Sequence, residues 1–268
     1  MSMTRILTRI LLASVLCAML ASAGETVVGQ YHFSYLRAMR SIGLDLRKAM
    51  KAKQREVIAS EPISLETDVA PAVKLDEMEQ DGKKLGMVFL TVGFIDMVRN
   101  VAHAKAIDAI EKGYFDKYVQ ILGQESGEKE LKPLPNIDDP KYWTDAVLND
   151  QQTYLRQMVG LVVATKLSHH FLGQFKKYES KILDAQGTRT PINNILTPQE
   201  FEEALKVGTR LSLETGLGID GVKALFDSID KMPKRPTWTT FFLPSAAKVK
   251  ALKKEMEKIE KKFFTGEE

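Results

Sequence analysis

Leu85-Gly-Met-Val-Phe-Leu-Thr-Val-Gly-Phe-Ile-Asp-Met-Val98 is the stretch on which the fold class turns. It is apolar almost throughout, with Thr91 and Asp96 as interruptions. A bilayer span takes roughly 20 apolar residues, so the run is too short and too broken to cross a membrane. It reads as a central helix buried on most sides. The helix is expected to continue through Ala102-His103-Ala104 to about Lys112, where Gly113 stops it.

Outward from that stretch the pattern stays helical. Tyr35, Met39, Ile42, Leu46 and Met50 recur at three- and four-residue steps and line one face of a first helix. A looser segment broken by Pro62 and Pro71 separates the two. Downstream, a short helix is expected from Tyr114 to about Leu122, then a loop rich in Gly and Pro over 123–142. Helical pattern resumes near Trp143 and runs to about Leu183, with Gly160 as a candidate kink. A loop from Gly187 to Pro198 ends in a helix start: Thr197 as N-cap, Pro198 at the first helical position, Glu200 in the first turn. Helices are expected from Pro198 to about Thr215 and from Asp220 to about Lys231. Pro233, Pro236 and Pro244 then hold the chain out of helix, and Ser245 is placed as the cap of a last, Lys/Glu-rich helix to Phe264. The fold class is therefore mainly α, a single helical domain of seven or eight helices with at most a minor strand pair.

The first 23 residues have the three parts of a cleavable export signal. Arg5 and Arg9 are the positive region, Ile10 to Leu20 the apolar core, and Ala21-Ser22-Ala23 the small-residue cleavage site. Cys17, the sole cysteine, lies inside it, and the bulky Leu16 before it argues against lipid attachment. Cleavage leaves 24–268 as one domain without thiols, so disulfide and cysteine chemistry are excluded. The signal carries two of the 38 basic residues and none of the 35 acidic ones, which leaves a net charge of +1. That balance gives no reason to expect nucleic acid as a partner. No transmembrane segment is expected after cleavage, and the location is periplasmic or secreted.

Chemistry concentrates in Gly160-Leu-Val-Val-Ala-Thr-Lys-Leu-Ser-His-His-Phe-Leu-Gly-Gln174 and in the segments downstream of it. The frame Thr165-Lys166-Leu167-Ser168-His169 ends an apolar helix, and Phe201-Glu202-Glu203-Ala204 opens a later one. Thr215-Gly216-Leu217-Gly218-Ile219-Asp220-Gly221 comes next, and then Leu243-Pro244-Ser245 ahead of Val249 to Leu252. In order and spacing, residues 158–262 resemble the gluzincin metallopeptidases, which carry H-E-x-x-H on one helix and a glutamate ligand on a later one. Residues 30–122 would then be an N-terminal helical extension and 143–268 the metallopeptidase-like part.

The resemblance implies a core with most of its chemistry replaced. Thr165 stands where the first histidine ligand belongs and Lys166 where the general base belongs, while His169 and Glu203 remain. An ammonium beside a dication is unfavourable, so Lys166 is expected to fill the space of a lost metal and pair with Glu203. The cleft candidates are Thr165, Lys166, His169, His170 and Glu203, with no catalytic residue and no cofactor. The function implied is an exported pseudo-metallopeptidase that binds a peptide or protein in the cell envelope. Two alternatives stand beside it. One is a zinc-dependent hydrolase built on His169 and Glu203, with His103 or His170 as a further ligand; the other is a helical envelope protein without a cleft.

Adjacent residues on a helix point about 100° apart, so His169 and His170 do not form one ligand pair; His170 and Gln174 share a face instead. Asp96, inside its apolar run, is expected to be a buried, paired carboxylate. Trp238 and Phe241-Phe242, after Lys231-Met-Pro-Lys-Arg-Pro-Thr237, are expected to plug the core from a loop rather than to dock a partner.

Overall fold

The structure, a computed structural model, describes residues 36–124, 131–183, 189–245 and 247–267. The export signal and Cys17 lie outside them. The chain divides into two compact units, 1–39 and 40–268. Of the first, only residues 36–39 are described; residues 36–49 are helical, here α1 (36–49). The other elements belong to the second unit. In chain order these are α2 (Ala52–Arg55), β1 (Ile58–Glu66), β2 (Val73–Gln80), β3 (Lys83–Thr91), α3 (Val92–Ile107) and α4 (Tyr114–Gln124). Next come α5 (Asp145–Phe171), α6 (Gln174–Ile182), α7 (Pro198–Glu214), α8 (Asp220–Lys231) and α9 (Val249–Thr265). Short 3-10 turns cover Pro140–Trp143, Ile192–Asn194 and Thr237–Phe241. Among the described residues no helix is long and apolar enough to cross a membrane.

The protein is mainly helical, as expected, but the segment expected to be loose, together with the first half of the expected central helix, is a three-stranded mixed sheet in the order β1-β3-β2. β2 and β3 are an antiparallel hairpin paired from Val73↔Leu90 to Gln80↔Lys83. Asp81 and Gly82 turn it, with φ of 52° and 72°. An Asp-Gly pair between two runs is a strong hairpin signal, and it is what the helical expectation overlooks. β1 joins β3 in parallel, with a register shift between Ile58 and Ile63 around Pro62. Proline has no N–H for a ladder, and β1 is an edge strand, where that is tolerated.

Leu85 to Val98 is thus not one helix: β3 runs into α3 with no loop. Thr91 makes the switch. Its hydroxyl accepts from the Phe94 N–H at 3.1 Å as the N-cap of α3. It also accepts from the Ala72 N–H and donates to the Ala70 carbonyl at 2.7 Å. Gly93 lets the chain come this close, since a Cβ there would lie 1.9 Å from the Val69 carbonyl oxygen. Asp96 is half-exposed, paired with Arg99 one turn on at 3.3 Å, and not buried as the apolar run suggests.

Behind the sheet, α5 is the axis of a helical layer and packs against α3, α7 and α8. Residues 158–169 of α5 are buried without a break. The helix is continuous through Gly160 and ends at Leu172-Gly173. Gly173 has φ +71°, a left-handed conformation that costs glycine little and ends α5 there. The start of α7 is as expected, a capping box between Thr197 and Glu200 with Pro198 in the first turn. Ser245 is not the cap of α9: that position falls to Lys248, which makes no side-chain capping bond. Trp238 and Phe242 are buried and Phe242 stacks on Phe94 at 5.1 Å, so the proline-framed loop does plug the core.

Because the obstacle at Gly93 is backbone and cannot swing away, Gly93→Ala is expected to cost about 1–3 kcal/mol or more of stability in urea unfolding, with α3 pushed off Val69.

Candidate functional site

The helix α5 carries its polar residues where a helix buried on every side has nowhere to hide them. Thr165, Lys166 and His169 are all buried. They face the seam between α5 and α7, which is tight: a Cβ on Gly208 of α7 would stand 2.7 Å from the Thr165 hydroxyl.

Lys166 is 3 % exposed, and among the described residues no carboxylate pairs with it. Its ammonium instead donates to the Asn193 side-chain carbonyl at 3.3 Å. The expected pair with Glu203 does not form because Glu203 lies at the exposed edge of α7, while the Lys166 stem turns into the core. Removal from water, which disfavours charge, brings the Lys166 ammonium down to about 7.

His169 is completely buried. Its Nδ1 donates to the Gln174 side-chain carbonyl at 2.6 Å. The Gln174 amide in turn donates to the Glu200 backbone carbonyl at 3.0 Å and reaches the Glu203 carboxylate at 3.4 Å. This chain links His169 to Glu203 through Gln174. On an unbroken helix Gln174 would share a face with His170. The break at Gly173 swings it to His169 instead. Burial first, then the Lys166 charge one turn away, pushes the His169 imidazole down to about 3.

His170 points the other way, toward the sheet, with its ring 4.5 Å from Phe175 and over Gly86 of β3. Burial lowers it to about 4, partly offset by the Asp76 backbone and side chain. His103 is remote from both in its contacts: Nε2 donates to the Tyr142 carbonyl at 2.8 Å, and Trp143 meets the ring edge-on. It anchors the Pro140–Trp143 turn, and burial lowers its affinity for protons too. Among the described residues no three His, Cys, Asp or Glu side chains are grouped so as to hold a metal ion.

Two residues essential to this arrangement, Asn193 and Glu200, are not singled out as site residues by the sequence. Glu200 collects Lys177 at 2.7 Å, Tyr178 at 3.1 Å and the Thr197 N–H at 2.9 Å. Partial burial works against its charge, but these bonds win and hold it at about 2. Only the capping signature marks Glu200 in advance; nothing local marks Asn193.

No protein-family model matches the chain, and neither a curated protein nor a solved structure is similar to it.

Since the buried His169 resists protonation to about pH 3 whereas an unfolded histidine takes a proton near 6.5, the unfolded chain binds more protons between those values. The stabilisation is complete above about pH 6.5 and is lost as the pH falls toward 3. The His169 ring resonances are expected to stay fixed from neutral pH to about pH 4.5 in NMR titration. Gln174→Ala, which strands the Nδ1–H in the core, is expected to cost about 1–3 kcal/mol in urea unfolding.

Proposed function

We propose that the protein is an exported, non-catalytic binding protein for a peptide or protein segment of the cell envelope, and that the metallopeptidase-like frame is a filled core rather than a cleft. The observation that carries this reading is the sealing of the Lys166 ammonium between α5 and α7. A hydrolytic metal site needs an open coordination position and a path for substrate. Of Thr165, Lys166, His169, His170 and Glu203, only Glu203 is exposed, and it faces Gln174 from the rim. Export rests on the three-part pattern of residues 1–23.

Room for a ligand exists elsewhere. A groove of about 610 Å3 runs between α7 and α9 beside α2. This is the size range of ligand sites, roughly 300–1,000 Å3. Val207, Leu211, Ile259 and Phe263 supply apolar surface. Four cations, Lys51, Lys206, Arg210 and Lys262, line it beside Glu214 and Glu267, with Lys206 paired to Glu255 and Arg210 to Glu214, each at 3.3 Å. The occupant that suits this lining is a segment with apolar anchors and acidic neighbours.

The test is in two parts. Elemental analysis of the purified protein after zinc dialysis, with a peptide-hydrolysis assay, is expected to find neither stoichiometric metal nor turnover, and chelator should leave the fold unchanged. Metal that disappears in His169→Ala or Glu203→Ala would overturn the reading in favour of the hydrolase. Fluorescence anisotropy with labelled acidic and basic peptides is expected to show preference for the acidic set, weakened about tenfold by Lys206→Glu. No preference, or no effect of the charge reversal, removes the groove as the docking surface.

A further inference from the structure

Lys166 of α5 and Asn193 of the Ile192–Asn194 turn are each 3 % exposed, and they meet inside the protein. The Lys166 Nζ donates to the Asn193 Oδ1 at 3.3 Å. Cγ of the amide is bonded to that oxygen, so the same contact sets an amine nitrogen beside an acyl carbon. Reacting groups held about 3–3.5 Å apart escape much of the entropic cost of encounter. The surroundings are mostly hydrocarbon, with Leu161, Phe201, Leu205 and Phe226 nearby.

Two features set this pair apart from an ordinary lysine and asparagine. A lysine in water is protonated at neutral pH, and an ammonium is no nucleophile. Lys166 is shut off from water, and among the described residues no carboxylate supports its charge. Burial therefore brings it down to about 7, where much of it is free amine at neutral pH. The second feature is the Asn193 Nδ2, which is buried and has no hydrogen-bond partner among the described residues. No hydrogen bond is lost when that nitrogen leaves. The neighbouring Asn194 does not compete, being exposed and bonded to Thr240 at 3.5 Å.

We propose that the side chains of Lys166 and Asn193 join in an intramolecular isopeptide bond once the chain has folded. The Lys166 amine attacks Cγ of Asn193, and the Nζ–Cγ bond forms. A proton passes from Nζ to Nδ2, the Cγ–Nδ2 bond breaks, and ammonia leaves. The product is a secondary amide, made with no oxidant, reductant or further reactant. It also replaces a group that is costly to bury as an ion with a neutral one. The bond ties the middle of α5 to a turn 27 positions away. It closes a loop as a disulfide does, in a chain whose sole cysteine is Cys17. The bond is independent of the peptide groove, so either can fail without the other.

The test is mass spectrometry of the whole protein, kept folded overnight at about pH 8, where most of the Lys166 amine is uncharged, and then denatured. The mass is expected to fall short of that calculated from the sequence by one ammonia. Trypsin does not cut after an acylated lysine, so the digest is expected to hold a branched peptide joining residues 157–176 to residues 190–206. Succinimide formation at an asparagine also expels ammonia, but it gives no branched peptide and does not need Lys166. The deficit is therefore expected to vanish in Lys166→Met and in Asn193→Ser. The two readings on the unaltered protein stand even if a variant folds poorly. A mass with no deficit, a deficit that persists in Lys166→Met, or residues 190–206 found only as a linear peptide each overturns the proposal.

Discussion

An α-helix that is buried on every face can carry polar side chains only if the neighbours bring partners to them, and α5 puts this demand on the whole helical layer. From residue 158 to residue 169 it offers solvent nothing. Lysine is among the residues least often fully buried. Thr165 meets α7 where Gly208 lets the backbone come close, and Lys166 takes the side-chain carbonyl that the Ile192–Asn194 turn presents. His169 makes a second demand, met by Gln174 from α6. The short turns and α6 thus act as polar fittings for α5, positioned by what that helix buries.

The other half of the molecule hangs on one side chain. Thr91 ends the central strand, caps α3, and ties down the connection that brings β2 alongside. Direct passage from strand to helix leaves no slack, so the Thr91 hydroxyl and the bare backbone at Gly93 help to register the sheet on the helical layer, as does the His170 ring packed over Gly86. Arg189 adds a second tie, bonding the Leu75 carbonyl and the Asp76 carboxylate at the far edge of the sheet.

Where residues repeat at helical spacing and are punctuated by their own caps and breakers, the elements are legible. α4, α7 and α8 begin at the residues expected of them, and the Thr197–Glu200 capping box is local chemistry visible in four letters. Leu85 to Val98 misleads because a central strand and a buried helix are both continuous apolar runs; periodicity alone does not separate them. The Asp81-Gly82 turn is the decisive local signal, and it lies outside the run. The candidate site divides in the same manner. Thr165, Lys166 and His169 sit one helical turn or less apart, so their common neighbourhood comes from α5 itself. Their partners do not: Asn193 is 27 positions from Lys166. Whether Lys166 meets Glu203 or Asn193 depends on the roll of α7 and on a turn with no motif.

By itself the sequence determined the helical character of most of the chain, the N-terminal cap of α7, the largely apolar run of α5 and the unusual presence of a lysine and a histidine within it. These are properties of residues a few places apart, where backbone geometry dictates who is near whom. Only the tertiary structure decided that an apolar run divides at Thr91 into strand and helix, that the break at Gly173 hands Gln174 to His169, and that Lys166 is sealed beside a neutral amide rather than a carboxylate. Each of these was settled by competition among distant segments for the same buried volume, and a linear pattern of residue types carries no record of that competition.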